Sequence, residues 1–272
     1  MLKLKNIGFI GAGNMAEAII RGIINAGLVN PDSLFINDIS EERTKYIAKK
    51  YGVTVIKEYS RLLKKTSVLI IAVKPQQMGD VLGNISVGIS PRHLVISIAA
   101  GIKTVFIENK LCNRPRVVRV MPNTPAMVCL GATVVCKGKK AKHSDIKTVL
   151  NIFNSMGYSA ELPERLMNAV TAVSGSGPAY VFYLAEGMTE AAVKLGIPKD
   201  IAVQLVVNTI HGAGKMLAWK EALPATLLRK KVTSPGGTTE AAIKYLESKD
   251  WLTRFINAVT AAEKRAKVLG SK

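Results

Sequence analysis

Three small residues follow the first apolar stretch of the chain at a spacing that suits phosphate binding. In the segment GFIGAGNMAEAI, residues 8–19, they lie between a short strand-like run and a helix-like run. The first glycine permits a tight turn, the second lets the backbone approach a pyrophosphate, and the alanine lets the helix pack closely against the strand. The phosphates would lie at the helix N-terminus, where unpaired N–H groups favour anions. Rather than an ordinary strand-to-helix turn, we predict dinucleotide binding by Gly11, Ala12, Gly13, Asn14 and Met15, with Ala16 as the packing residue.

The residue that ends the second strand bears on which dinucleotide is bound. This strand ends in Asn37 and Asp38. A carboxylate at this position accepts hydrogen bonds from a ribose 2′-OH and repels a 2′-phosphate, so Asp38 favours NADH. The alternative is that Asp38 caps the next helix. Arg43 and Lys45, on that helix, are the residues that could reverse the preference by reaching the phosphate.

A second segment offers more helix-starting residues than a helix needs. In VTSPGGTTEAAIKYLE, residues 232–247, a helix-like run extends from Ala241 to Leu246. Ahead of it stand Ser234, Pro235, two glycines and two threonines, although one N-cap residue is sufficient. The surplus raises the question of what else this helix N-terminus binds.

The chain is strongly basic, and the charge is unevenly spread. Its formal net charge is +19, of which +14 falls in residues 1–159 and +5 in residues 160–272. A basic N-terminal half suits an anionic partner, which could be nucleic acid or a phosphate-bearing cofactor. Because the basic residues are scattered and not interleaved with aromatic ones, we expect a solvated basic surface and no nucleic-acid site.

Cysteine and histidine usage gives no sign of a disulfide framework or a metal site. The three cysteines have no CxxC spacing, and the three histidines lie far apart in the sequence. This pattern indicates a reducing compartment, and we expect a cytoplasmic protein without a metal. No run of about 18 uninterrupted apolar residues appears, so a membrane span is not expected.

The elements that would position these loops alternate through the first 160 residues. Strand-like runs are separated by helix-like runs, and the run at 67–73 is apolar throughout, as in a strand that is buried on both faces. Gly52 is a stop signal for the helix that precedes it. The alternation predicts right-handed crossovers and a largely parallel sheet, that is, an α/β domain.

After about residue 160 the strand-like runs stop, and long helical segments take over. The segments 169–196 and 199–218 are apolar nearly all round, and the segment 250–269 is more amphipathic. Helices that are hydrophobic on every side are buried, yet a domain of about 110 residues cannot easily enclose two of them. We therefore predict two domains, 1–162 and 163–272, the second an all-α domain that packs against another copy of the chain.

Beyond the glycine loop, five further segments occur in a diagnostic order: AVKPQ, SIAAGI, RVMPNTPA, SGSGPAY and VTSPGGTT. With them the chain resembles the pyrroline-5-carboxylate reductase family over essentially its whole length. The glycine loop is generic, whereas the last two segments at this spacing are highly specific. The resemblance implies a Rossmann domain, a helical dimerisation domain, and hydride transfer from NADPH or NADH to the C=N bond of a carboxylate-bearing, five-membered cyclic imine.

The resemblance also answers the question about the surplus at residues 234–239. Backbone N–H groups at a helix N-terminus suit the substrate carboxylate, and a hydroxyl beside them can hydrogen-bond the ring nitrogen. The family pattern assigns that hydroxyl to Thr239, the catalytic candidate, which orients the nitrogen and relays a proton from water. The alternative is an elaborate helix cap. The other substrate-binding residues implied here are Ser234, Gly236, Gly237 and Thr238.

Other positions follow from the resemblance one by one. The implied cofactor-binding residues after the fourth, fifth and sixth strands are Ala72, Val73, Lys74, Pro75, Ala99, Ala100 and Asn123. Glu164 and Glu221 match acidic positions near the substrate, although either could be a surface carboxylate. We further expect the active site to combine the cofactor of one chain with the SPGGTT loop of the other chain in a homodimer.

The chain departs from the family pattern at several positions. Asp38 stands where small or basic residues are common, and Tyr59 stands where an Asn commonly contacts the adenosine end, so that Tyr59 either stacks on adenine or only packs. None of these departures lies on the expected hydride path. Two alternatives are a related imine or β-hydroxyacid reductase and a non-catalytic dinucleotide- or nucleic-acid-binding protein. Enzymes of the first kind typically have a catalytic Lys or Asp at the start of the second domain, and SGSGPAY contains neither residue. A protein of the second kind would be expected to have lost the glycine loop or the SPGGTT motif, and both are intact in this chain.

Overall fold

The computed structural model describes residues 6–219, 221 and 223–270. Its internal contacts divide the chain into two compact units. One unit contains the chain up to Ser176 together with the chain from Ala262 onward, and the other is Gly177–Ala261. Whether the chain folds as separate domains that meet between residues 162 and 163 stays a prediction.

In the described part of the first unit, eight strands form one sheet. The strands are β1 (Ile7–Ile10), β2 (Leu34–Asn37), β3 (Thr54–Val55), β4 (Val68–Ile71), β5 (Leu94–Ser97), β6 (Arg116–Met121), β7 (Gly131–Lys137) and β8 (Gly157–Glu161). Their order is β3-β2-β1-β4-β5-β6-β7-β8, and every neighbouring pair is parallel except the antiparallel pair β6–β7. The predicted α/β fold with a mainly parallel sheet is confirmed.

Helices cover both faces of this sheet. They are α1 (Asn14–Asn25), α2 (Glu41–Tyr51), α3 (Tyr59–Lys65), α4 (Met78–Ser86), α5 (Thr104–Lys110) and α6 (His143–Asn154). One apolar core joins β1 to α1 and α6 through residues such as Phe9 and Phe153, and the other joins β4 to α3 and α4 through residues such as Leu69 and Leu82. Every residue of β1 and β4 is buried, because a parallel strand between two helical layers is dry on both faces.

The ends of α2 follow the sequence signals closely. Ser40 is the N-cap, and its hydroxyl accepts a hydrogen bond of 3.2 Å from the Arg43 N–H. At the other end Gly52 has φ +71°, a left-handed conformation that glycine adopts without steric cost. The prediction that Gly52 ends this helix is confirmed. The residue that caps its N-terminus is Ser40, not Asp38.

The chain becomes helical after β8. A short helix α7 (Met167–Val170) and a π-helical turn (Thr171–Gly175) lead into α8 (Gly177–Lys194), α9 (Lys199–Leu217), α10 (Ala225–Lys231), α11 (Thr238–Ser248) and α12 (Trp251–Leu269). No residue of α8 is buried within the single chain, and Phe182 and Tyr183 are 61% and 77% exposed. The expected burial of these apolar helices therefore requires a surface that one chain does not supply. No helix in the described ranges is long and apolar enough to cross a bilayer.

Candidate active site

The glycine loop has the backbone geometry that phosphate binding requires. Gly11 has φ +96°, and a Cβ there would lie 2.7 Å from the Ala72 carbonyl oxygen, so that any side chain at Gly11 would clash with β4's end. Gly13 is the N-cap of α1 without a side-chain cap, and a Cβ on Gly13 would meet nothing within 4 Å. The first N–H groups of a helix have no partner within it, and no side chain at Gly13 obstructs the approach of an anion, as a pyrophosphate site requires.

This loop lies at the carboxyl edge of the sheet, between the strands β1 and β4. Ile10 of β1 pairs with Asn37 of β2 on one side and with Ile71 of β4 on the other. The chain order reverses at this point, since β2 lies on one side of β1 and β4 on the other. Ligands of open α/β sheets bind in the crevice at such a switch point.

The candidates that follow β4 and β5 lie at the same edge. The Ala72 N–H donates to the Ile10 carbonyl at 2.7 Å, and the Ile98 N–H donates to the Ile71 carbonyl at 3.2 Å, so the segments after both strands continue the ladder. Ala72, Val73 and Pro75 are half-buried, Ala99 is buried, and Lys74 and Ala100 are exposed. Their predicted contact with a cofactor stays a prediction.

Asp38 is bonded to the glycine loop. Its Oδ2 accepts a hydrogen bond of 2.6 Å from the Ala12 N–H, and its Oδ1 accepts one of 2.9 Å from the Ser40 N–H. The carboxylate of Asp38 thus supports the start of α2 through the Ser40 N–H and lies beside the glycine loop. Its predicted contact with a ribose stays a prediction. Tyr59 is half-buried at the start of α3, where burial and the negative charge of Asp38 raise the pKa of its phenol.

Asn123 connects the end of β6 to two other segments. Its Oδ1 accepts from the Ala132 N–H at 2.9 Å, and its Nδ2 donates to the Ser174 carbonyl at 3.2 Å and to the Ser174 hydroxyl oxygen at 3.3 Å. Ser174 in turn donates to the Ala132 carbonyl at 3.1 Å. The SGSGPAY segment is therefore tied to the sheet by Asn123, which was predicted only as a cofactor contact.

The carboxylate of Glu164 is hydrogen-bonded and ion-paired to other residues of the chain. Its carboxylate accepts from the Thr104 N–H at 2.8 Å and from the Thr104 hydroxyl at 2.6 Å, at the first turn of α5. It also pairs with Arg119 at 3.2 Å. Its predicted contact with substrate stays a prediction. The sequence analysis missed the partners Thr104 and Arg119, although Arg119 is a charged residue within an otherwise apolar strand and that contrast is a signal.

Arg119 is the most deeply buried charged side chain of this group. It is 3% exposed, and among the described residues its Nη2 has no hydrogen-bond partner. Directly opposite on β7 lies Cys136. Burial of the thiol, together with the negative charge of Glu164, raises the pKa of Cys136 to about 12, although Arg119 acts in the opposite direction. Because a buried guanidinium needs an opposite charge, the ion pair with Glu164 stabilises Arg119 in this position.

The second candidate loop begins α11. Gly237 is the N-cap and, like Gly13, it lacks a side-chain cap. Gly236 has φ +71°, and its N–H donates to Glu240 at 2.9 Å. Thr239 is half-buried, and within the described part of the chain its hydroxyl has no hydrogen-bond partner. Neither Ser234 nor either threonine caps the helix, so the surplus of capping residues is not used for capping.

Of the remaining candidates, Ser234 and Thr238 are exposed beside this helix N-terminus. Glu221 is exposed in the segment after α9, between two residues that lie outside the described ranges. Among the residues that the structure describes, no cluster of His, Cys, Asp or Glu could hold a metal ion.

An open, mainly parallel sheet with a glycine loop at its switch point, followed by a helical region, defines a Rossmann-type fold of the dinucleotide-binding class. Comparisons with known proteins agree. Residues 6–101 match the family model "NADP oxidoreductase coenzyme F420-dependent", and residues 164–269 match "Pyrroline-5-carboxylate reductase dimerisation".

The whole-chain comparisons are more specific. The chain is 41% identical to a pyrroline-5-carboxylate reductase of Methanosarcina acetivorans, over 98% of this chain and 99% of the relative. A solved pyrroline-5-carboxylate reductase from Coxiella burnetii has a TM-score of 0.92 and 38% identity, with 98% of both chains covered. The Plasmodium falciparum reductase, solved with NADP bound, has a TM-score of 0.87 and 33% identity, over 99% of this chain and 100% of that one. The chain belongs to the pyrroline-5-carboxylate reductase family, whose members are NAD(P)H-dependent oxidoreductases.

Proposed function

We propose that this chain reduces the C=N bond of 1-pyrroline-5-carboxylate and releases L-proline, with NAD(P)H as the hydride donor. The observation that carries the proposal is the start of α11, in a chain of this family. There an uncapped helix N-terminus adjoins a hydroxyl that no described residue engages. A carboxylate and a ring nitrogen are the two polar features of such an imine, and this segment offers one group for each.

The carboxylate of the substrate is bound by backbone N–H groups. Gly237, Thr238 and Thr239 open α11, and the first N–H groups of a helix have no partner within it. These groups and the helix dipole favour an anion. Because the Gly236 N–H already donates to Glu240 and the Gly237 N–H donates to the Ser234 carbonyl at 3.0 Å, the substrate carboxylate uses the N–H groups of Thr238 and Thr239.

Thr239 orients the ring nitrogen. A threonine hydroxyl has a very high pKa and is a poor general acid, so its role is to hold the nitrogen by a hydrogen bond and to relay a proton from water. When bound, the reduced nicotinamide would supply the hydride to the imine carbon, and with one proton added to the ring nitrogen the product is a neutral secondary amine. Most of the rate acceleration comes from holding the two reactants in register.

The cofactor is NADH or NADPH, and we propose that NADH is used at least as well. Asp38 acts at hydrogen-bond range, whereas the net positive charge of the N-terminal half is screened over about 8 Å at physiological salt. A carboxylate beside a 2′-phosphate gains a like-charge contact and loses a ribose hydrogen bond. The contact of Asp38 with the Ala12 N–H at 2.6 Å supports this, because it holds the carboxylate beside the glycine loop.

The active form is a homodimer. The exposed apolar residues of α8 support this proposal, as does the match of residues 164–269 to a dimerisation family. We further propose that one chain's cofactor works with the partner chain's SPGGTT loop. Larger oligomers, a cytoplasmic location and the absence of nucleic-acid binding stay predictions.

The experiment is direct. The purified protein is incubated with pyrroline-5-carboxylate and either NADH or NADPH, and proline is measured by mass spectrometry alongside cofactor oxidation. Formation of proline that depends on both substrate and cofactor supports the proposal. Absence of proline from folded protein with both cofactors would refute it.

A further inference from the structure

The helix that follows Asp38 brings a guanidinium group to the glycine loop. Arg43 of α2 donates from Nε to the Ala12 carbonyl oxygen at 2.7 Å. Since the Ala12 N–H is bonded to Asp38, both polar groups of Ala12 are held by side chains from the β2–α2 region. In dinucleotide-binding folds, an arginine near the end of the second strand is the residue that accommodates a 2′-phosphate. Arg43 has the chemistry and the location for that role.

Arg43 is already paired, however. Its Nη2 donates to the carboxylate of Glu17 on α1, and the side chains of Arg43 and Glu17 are only 26% and 18% exposed. Its Cζ also lies 5.1 Å from the centre of the Tyr46 ring. An arginine binds a phosphate most strongly when two of its N–H groups can donate parallel hydrogen bonds to it. In this chain Nε and Nη2 are committed to Ala12 and Glu17.

Glu17 is well anchored in this position. Its Oε1 accepts from Lys50 at 3.0 Å and from the Tyr51 hydroxyl at 2.9 Å. Burial of the Glu17 carboxyl opposes ionisation, but the hydrogen bonds from Lys50, Arg43 and Tyr51 outweigh it and lower its pKa to about 2. Glu17 is therefore an anion at every physiological pH.

We infer that Glu17 is a specificity-determining residue for the cofactor: it holds the Arg43 guanidinium on the glycine loop, cancels its charge, and so disfavours a 2′-phosphate. This inference rests on the proposed function, which supplies the dinucleotide. It differs from the effect of Asp38, since Glu17 acts through Arg43. Glu17 is thus a positioning residue. Lys45, the other basic residue considered for this role, is 79% exposed and pairs with Glu41 at 3.7 Å.

The test is the substitution Glu17→Gln, which keeps the size of the side chain and removes its charge. Binding of NAD⁺, NADP⁺ and 2′-AMP is measured by calorimetry without substrate. We expect the ratio of NADP⁺ to NAD⁺ affinity to rise about threefold to tenfold, as expected when a partly buried charge is released. 2′-AMP affinity should rise in parallel. The ratio of kcat/KM for NADPH to that for NADH should move in the same direction.

Two further variants make the result specific. Glu41→Gln removes a carboxylate that pairs with Lys45 and Lys57 on the exposed side of α2, and it should change the affinity ratio less than twofold. In the double variant that combines Arg43→Ala with Glu17→Gln, the rise in the ratio of NADP⁺ to NAD⁺ affinity should disappear. If Glu17→Gln does not fold, Glu17→Asp keeps the charge but shortens the side chain, and a smaller shift in the same direction is expected.

The outcomes separate the inference from the proposed function. An unchanged affinity ratio in folded Glu17→Gln, or a gain that persists without Arg43, overturns the inference while dinucleotide binding stands. If the wild-type protein binds neither dinucleotide, both are overturned. Binding with the expected ratio shift but no formation of proline supports the role of Glu17 and refutes the proposed reaction.

Discussion

The backbone N–H of Ala12 donates a hydrogen bond of 2.6 Å to the carboxylate of Asp38, 26 positions further along the chain. This bond joins the glycine loop after β1 to the segment after β2. The same carboxylate accepts from the Ser40 N–H at 2.9 Å. One side chain therefore supports the loop that is proposed to bind the cofactor, and the same side chain carries the charge that is proposed to select between NADH and NADPH.

Replacing Asp38 should change both stability and cofactor preference. In Asp38→Ser the Ala12 N–H loses its acceptor, and we expect a loss of about 1–3 kcal/mol in the free energy of unfolding. The ratio of kcat/KM for NADPH to that for NADH should rise about tenfold as the like charge disappears. Urea unfolding and steady-state kinetics measure the two effects. Glu42→Ser, an exposed change on α2, is the control, and an unmoved ratio in Asp38→Ser would mean that the residue only supports the turn.

Thr239 can be tested by removing its hydroxyl alone. Thr239→Val keeps the shape of the side chain and deletes the hydrogen bond to the ring nitrogen. We expect kcat/KM for pyrroline-5-carboxylate to fall about 10- to 100-fold, the equivalent of about 1.5–3 kcal/mol. Thr148→Val, the same change on the surface of α6, should leave it unchanged. Wild-type kinetics in Thr239→Val would remove this hydroxyl from the mechanism.

Glu164 should prove important for stability. Glu164→Gln removes the charge that faces buried Arg119 and weakens the bonds to Thr104. We expect the free energy of unfolding to fall by about 2–4 kcal/mol, because Arg119 is left buried without a counter-charge. Glu161→Gln, an exposed change on β8, should cost much less. If KM for the substrate rises strongly while the unfolding midpoint stays unchanged, Glu164 contacts substrate instead.

The cysteines should differ in reactivity. Only the thiolate is nucleophilic, and burial of Cys136 with the nearby Glu164 charge raises its pKa to about 12. At pH 8 about one molecule in ten thousand then carries the thiolate, and at pH 9 still only about one in a thousand. Alkylation of the native protein should therefore spare Cys136 until it unfolds, whereas Cys112 and Cys129 are exposed in the chain. Peptide mass spectrometry reads out the sites, and rapid native labelling of Cys136 would contradict the prediction.

Self-association should depend on the apolar surface of α8. The wild-type protein is expected to run at twice the 29.3 kDa chain mass or more in light scattering. Phe182→Lys places a charge on a residue that is 61% exposed in the single chain, and it should produce a monomer with little activity. Val87→Lys, on a residue that is 88% exposed in the first unit, is the matched control. A fully active wild-type monomer would refute the dimer.

Mixing two impaired variants tests whether the active site is shared between the two chains of the dimer. A Gly13→Val chain lacks the open space at the start of α1, and a Thr239→Val chain lacks the hydroxyl. If one chain's cofactor serves the partner's SPGGTT loop, mixed dimers contain one intact site and regain activity. If the subunits exchange but the mixture regains no activity, the cofactor and the SPGGTT loop of each active site come from the same chain.

The sequence by itself determined the local features of this protein. The apolar runs specified the buried strands, since a strand between two helical layers must be hydrophobic on both faces. Gly11 and Gly52 marked positions where the backbone takes a positive φ, which side chains resist. The strand β8 was missed, because Gly157–Glu161 is half polar and lies at the edge of the sheet.

Only the tertiary structure decided which side chains meet. Asp38 and Ala12, Glu17 and Arg43, and Glu164 and Thr104 are joined across 26, 26 and 60 positions of chain. Residue types and spacing marked Asp38 and Arg43 as candidates, but they could not indicate that Arg43 is held by Glu17, or that Glu164 faces Arg119 and Thr104. Such pairings depend on how strands and helices are ordered and packed, and the strength of each contact depends on burial that no linear pattern records.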